Sequence, residues 1–242
     1  IMKGLGTIVN VAAVIAGSIV GMIMKGGLKP RIQETLMQAC GLATIFIGII
    51  GTLSGMFTIQ NGAIKAEGTL LLICSLVIGS LIGEILNLEK RIESLGDKLK
   101  SLVKAQSDTK FVEGFVTSSL VICIGAMAVV GAINDGLSGD ASMLFAKSIL
   151  DFIIVIIFAA TFGIGVLFSA VPLGIYQGLI TLFAVFIAPY LSDVIINELS
   201  YIGSAIIFGV GVNITFGKKY KVGNMLPALL LPIAYEMILS LL

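Results

Sequence analysis

The chain has 242 residues, 57% of them hydrophobic and 12% charged, with a net charge of +1. A soluble domain is about 25% charged, so a globule this apolar has too few polar groups to cover itself in water. The near-neutral charge excludes the broad basic field that draws nucleic acid, and the absence of histidine removes the commonest general base and metal ligand.

A transmembrane helix needs about 20 mostly apolar residues, and the chain offers about eight such stretches. The first covers residues 4–24. It is longer than the apolar core of a signal peptide and ends without a small-residue cleavage site, so it reads as a retained helix. The second and third cover 36–57 and 69–86. Residues 87–110 break the pattern: they are charged, with Leu88, Ile92, Leu95, Leu99 and Leu102 at alternating four- and three-residue steps. That spacing makes one apolar face on a helix. A cytoplasmic amphipathic helix is expected there, packed on the bundle, lying on the headgroups or binding a partner.

Further spans are expected at 111–133, 141–168, 173–191, 200–216 and 224–242, with Ser169–Pro172 as an uncharged turn between the fifth and sixth. The apolar runs are continuous rather than alternating, which argues against strands. The fold class is therefore all-α, a polytopic transmembrane helix bundle of about eight spans. Its segments are 1–86 (three spans), 87–110 (the amphipathic helix) and 111–242 (five spans). A shift of 142 places Gly21 on Gly163 and Pro30 on Pro172, the expectation of two parallel four-helix repeats.

Orientation follows from the loops. Lys25, Lys29 and Arg31 follow the first span, Lys90 to Lys110 the third, and Lys218, Lys219 and Lys221 the seventh; the alternate loops hold Lys65, Asp135, Asp140, Asp193 and Glu198. Cytoplasmic loops collect Lys and Arg, so both termini are expected outside.

Glycines four residues apart (Gly17 and Gly21, Gly51 and Gly55, Gly79 and Gly83) let helix backbones approach closely in lipid. Cys40, Cys74 and Cys123 lie in apolar runs with no CxxC spacing, so they read as small buried hydrophobes, and no cofactor is implied.

Ionisable groups inside lipid are costly and face a cavity or a partner. Asp151 lies ~15 Å beyond the start of its span, near the midplane. Lys147, one turn earlier, shares its face, so the two make either a structural ion pair or part of an ion site. Glu236 follows Pro227 and Pro232, which free backbone carbonyls in the manner of broken transporter helices. The amides Asn10, Gln177 and Asn213 complete a candidate solute or ion pathway. Asn134, Asp135 and Asp140, in a turn with Gly136 and Gly139, form either a capped turn or a cation-binding loop of hard oxygen ligands.

The segments Gly6–Asn10, Gly125–Asp140, Lys147–Asp151, Gly163–Ser169 and Tyr176–Gly178 together resemble the YqgA/YdfK-type family of bacterial inner-membrane proteins, a domain-of-unknown-function family. The resemblance covers nearly the whole chain. It implies a small multi-pass protein of the bacterial cytoplasmic membrane and supplies no substrate. With no nucleophile–base pair visible, an enzyme is not expected. The expected function is transport of a small solute or ion, proton- or cation-coupled. The alternatives are an oligomeric ion channel and a structural or regulatory membrane component. The expected partners are the bilayer, the solute and further copies of the chain.

Overall fold

The structure is a computed structural model that describes residues 3–27, 29–60 and 62–239. Helices dominate: α1 (Leu5–Gly27), α2 (Pro30–Met56), α3 (Thr69–Leu86), α4 (Leu88–Leu102), α5 (Phe111–Cys123), α6 (Ala126–Ser138) and α7 (Ser142–Phe162). They continue through a 3-10 segment (Ile164–Ser169) into α8 (Ala170–Leu182), the short α9 (Ala184–Ile187), and α10 (Asp193–Phe216). The chain ends in α11 (Val222–Met225), a second 3-10 segment (Leu226–Leu230) and α12 (Leu231–Leu239). Six of the described helical segments are long and apolar enough to cross a bilayer, or seven if the bent pair α5 and α6 makes one span.

Four boundaries differ from those expected. The helix from Phe111 breaks after Cys123 and turns by 61°. Ile124 is extended and Gly125 sits at φ 141° and ψ 150°, a conformation that a side chain at Cβ would forbid. The long fifth span stops at Phe162 because Gly163, at φ 88° and ψ −147°, ends it. Ser169–Pro172 is not a turn: Pro172 lies in the first turn of α8, where a missing N–H leaves no helical bond unmade. The eighth expected span is divided among α11, the 3-10 segment and α12 by Pro227 and Pro232, and its last three residues lie outside the described residues.

A small hairpin was not expected. Strand β1 (Phe57–Gln60) pairs antiparallel with β2 (Ala63–Ala66), Phe57 opposite Ala66 and Gln60 opposite Ala63. The dipeptide Asn61–Gly62 between them is the strongest short-range hairpin signal.

The chain divides into two compact units, Ile1–Cys40 with Ile92–Tyr190 and Gly41–Arg91 with Leu191–Leu242. In the first, α1 packs along α7 and also meets α8, while α5 lies on α7, α8 and the first 3-10 segment. The contact of α1 with α7 is backbone against backbone. A Cβ on Gly21 would stand 2.3 Å from the Ile156 carbonyl oxygen, and one on Gly17 2.7 Å from that of Phe152. In the second unit the latter half of α2 lies on α10 in the same manner: a Cβ on Gly48 would be 2.5 Å from the Phe208 nitrogen and one on Gly51 2.2 Å from the Ser204 hydroxyl. Gly79 and Gly83 of α3 press likewise on Ala228 and Asn224. Small residues every turn thus serve close helix packing, as their spacing suggested.

The outer faces are apolar. Ile23, Ile85 and Leu81 are 74%, 83% and 60% exposed, the pattern of helices whose solvent is lipid. On α4, Gly96 is buried near Val112 and Phe115, while Leu95 and Leu102 stay exposed.

Candidate functional site

The first unit gathers four of the polar residues singled out in the sequence. Lys147 and Asp151, one turn apart on α7, form a buried ion pair, 6% and 4% exposed. The ammonium also donates to the backbone carbonyl of Ile122 at 2.7 Å. Ile122 belongs to the last turn of α5, where carbonyls lose their intrahelical partners; the break at Gly125 thus sets an acceptor beside the lysine. Cys123 lies next to both charges with its thiol reduced.

From Asp151 the polar chain passes to α1 and α8. The Asn10 side chain lies beside Asp151, and its Nδ2 donates to Gln177 Oε1 at 3.2 Å. Asn10 and Gln177 are fully buried, and each keeps one polar atom unpartnered: Asn10 Oδ1 and Gln177 Nε2. In this orientation the Asn10 amide nitrogen serves the Gln177 Oε1 acceptor and Asn10 Oδ1 is left over. A row Ile122–Lys147–Asp151–Asn10–Gln177 therefore crosses four helices and ends in a free acceptor and a free donor. Nearby, the Thr7 and Thr181 hydroxyls are 3.3 Å apart.

Asp135, expected in a capped turn or a cation-binding loop, serves the start of α1. It is on α6 and fully buried, and its two oxygens accept the backbone N–H groups of Gly4 (3.1 Å) and Gly6 (2.9 Å). These are the unpaired donors at the start of α1, where a helix favours an anion. The expected loop is also largely helix: Asn134 and Asp135 lie within α6, which Gly139 ends at φ 75°. Asp140 is exposed beyond it, and hydrogen bonds from the Ser142 hydroxyl and N–H hold its carboxyl below the usual carboxylate range. Among the described residues, no group of three or more His, Cys, Asp or Glu side chains gathers where a metal could be held.

Asn213 and Glu236 belong to the second unit. Asn213 closes the turn after α10: its Nδ2 donates to the Tyr220 carbonyl at 2.8 Å, and its Oδ1 accepts the N–H groups of Lys219 and Tyr220. That role occupies both ends of its amide. Glu236, on α12, is near enough to Glu198 on α10 for their charges to interact. Glu198 is 9% exposed, and neither its Oε2 nor the hydroxyl of Tyr201 one turn on has a hydrogen-bond partner. Glu198 lies within α10 rather than in the loop expected from hydropathy, because the helix begins at Asp193 and not at residue 200. The unit also holds an apolar cavity of about 370 Å³ beside Gly48, Leu53, Leu76 and Phe208, with no charged residue in its lining.

The second unit contains a further polar network, at the basic segment 218–221. Asn224 Nδ2 donates to Glu84 at 2.6 Å, and its Oδ1 accepts the Glu89 N–H at 2.7 Å. Lys221 pairs with Glu84 at 2.6 Å and Lys218 with Glu89 at 3.0 Å. Helix α3, the start of α4 and the 218–224 segment are locked together there.

Residues 5–237 match the family model described as "Protein of unknown function (DUF554)". The chain belongs to this family. It is 37% identical over 227 residues to "Uncharacterized membrane protein YdfK" of Bacillus subtilis (strain 168), covering 94% of this chain and 93% of that one. It is 31% identical over 231 residues to "Uncharacterized protein YqgA" of Escherichia coli (strain K12), covering 94% of each. No solved structure matches. The resemblance drawn from the residue blocks is thus the chain's family, and the relative's name agrees with a protein of the membrane.

Proposed function

We propose that the chain is a carrier for a small polar solute or ion in the bacterial cytoplasmic membrane, and not an enzyme. The observation that carries this reading is the buried row Lys147–Asp151–Asn10–Gln177, with an acceptor and a donor left over at its end. Unpartnered polar atoms are expensive in lipid; a passing solute or water would satisfy them. The broken helix beside the row supports the same reading, since discontinuous helices line transporter sites. Ion or proton coupling would act through Asp151. The basic loops support a topology with both termini external.

The test is flux into proteoliposomes holding the purified chain, with an entrapped pH probe and a panel of labelled small solutes. Saturable uptake that Asp151→Asn abolishes, without loss of folded protein, supports the carrier. Unitary current steps would instead favour an oligomeric channel. Absence of any flux sensitive to Asp151 would sink both. A second reading rests on α4, whose Leu95 and Leu102 stay exposed on a charged helix: a structural or regulatory component that acts through this face.

A further inference from the structure

Each oxygen around the Lys147 ammonium is one that a metal cation would accept. One is the Asp151 carboxylate, and another is the Ile122 carbonyl at 2.7 Å. That carbonyl is in the last turn of α5, so the negative end of a half-helix dipole also points to this place. The surroundings are closed, with Ile122 1%, Asp151 4% and Lys147 6% exposed. Carboxylate and carbonyl oxygens are the ligands of hard cations, and the C-terminal ends of interrupted helices hold monovalent ions in membrane carriers.

We propose that Lys147 is a tethered cation: its ammonium fills a monovalent-cation site built by Asp151 and the Ile122 carbonyl. Truncating the side chain opens that site to Na⁺, K⁺ or a small ammonium ion. The tether explains why the charge sits on the same helix one turn before Asp151. In that position the stem reaches the Asp151 carboxylate along its own helix and the Ile122 carbonyl on the neighbouring α5. It also keeps the carboxylate compensated whatever the ionic composition of the medium. This assignment goes beyond the carrier reading, and its test needs no flux.

The experiment is thermal unfolding of the full chain in detergent, at constant ionic strength. The salt is N-methylglucamine chloride, replaced stepwise by NaCl, KCl or methylammonium chloride. Without small cations, K147A should melt about 10 °C below wild type, the scale of an uncompensated buried charge in a chain of this size. At least one of the three cations should reverse most of that loss along a saturating curve. The double variant K147A/D151N should show no such curve. Wild type, its site already filled, should melt at the same temperature in all four salts. Three results overturn the proposal. K147A could be indifferent to all three cations, or fail to fold in any of them while the double variant folds. Wild type could show a saturable Na⁺ or K⁺ shift that D151N removes, which would place a free ion beside Asp151.

Discussion

The buried carboxylate of Asp135 accepts the backbone N–H of Gly6 at 2.9 Å, fastening the start of α1 to α6 across 129 residues of sequence. The neighbouring Gly4 N–H meets the other oxygen. Without a partner in a dry setting, such donors would cost free energy. Asp135→Asn turns one end of the group into a donor facing a donor, and Asp135→Ala removes both acceptors. Each should lower unfolding stability by about 1–3 kcal/mol, measured by thermal or denaturant unfolding in detergent. An Asp135→Asn protein as stable as wild type would mean that α1 is held by packing alone.

The glycines predict opposite outcomes at two positions. A Cβ on Gly21 would lie 2.3 Å from a backbone oxygen of α7, whereas at Gly178 on α8 nothing stands within 4 Å. Backbone cannot swing aside like a side-chain tip, so Gly21→Ala should separate α1 from α7 and cost about 1–3 kcal/mol. Gly178→Ala should be neutral or slightly stabilising, since alanine is the better helix former. Unfolding of the two variants side by side checks this, and equal losses would contradict the packing described.

The Asn224 junction separates a valuable polar contact from a cheap one. Asn224 joins Glu84 to the Glu89 N–H and is buried, whereas Lys221 and Glu84 are both more than half exposed as an ion pair. Asn224→Ala should cost about 1–3 kcal/mol because it leaves the part-buried Glu89 N–H without its acceptor. Lys221→Ala should stay within about 1 kcal/mol, and its effect should vanish in high salt. A larger loss from Lys221→Ala would place that lysine in a drier setting than the exposed one seen.

What the sequence made legible was hydropathy and periodicity. The bounds of α3 agree with those expected, because Gly68 and Asn87 flank it in left-handed conformations. Helices α2 and α10 run past the expected spans, since the polar turns at Pro30–Glu34 and Asp193–Glu198 are helical too; hydropathy marks what lipid tolerates, not where a helix begins. The break at Gly125 was hidden, because nothing local distinguishes it from Gly131, which stays helical. Asn10, Lys147, Asp151 and Gln177 stood out as polar residues in apolar runs. Their joining into one row did not, because it depends on how α1, α7 and α8 pack. The Ile122 carbonyl had no signal at all, since every residue carries one.

Gln177 offers the sharpest division between stability and function. Its Oε1 is satisfied by Asn10 while its Nε2 is not. A group retained for folding alone would be better replaced by a hydrocarbon of similar volume, because an unmet buried donor costs about 1–3 kcal/mol. Gln177→Leu removes that donor and frees one Asn10 proton, while the Asn10 contact with Asp151 remains. The two effects oppose each other, so stability should change by less than about 1 kcal/mol, within the spread of such exchanges. If the free donor meets the solute, the same variant should lose uptake in proteoliposomes, with the loss in apparent affinity larger than that in maximal rate. Thr7→Val, which breaks only the contact with the Thr181 hydroxyl, should leave both quantities near wild type. A Gln177→Leu protein that transports normally would remove Gln177 from the pathway. One that unfolds several kcal/mol more easily would instead assign the amide to holding α8 against α1.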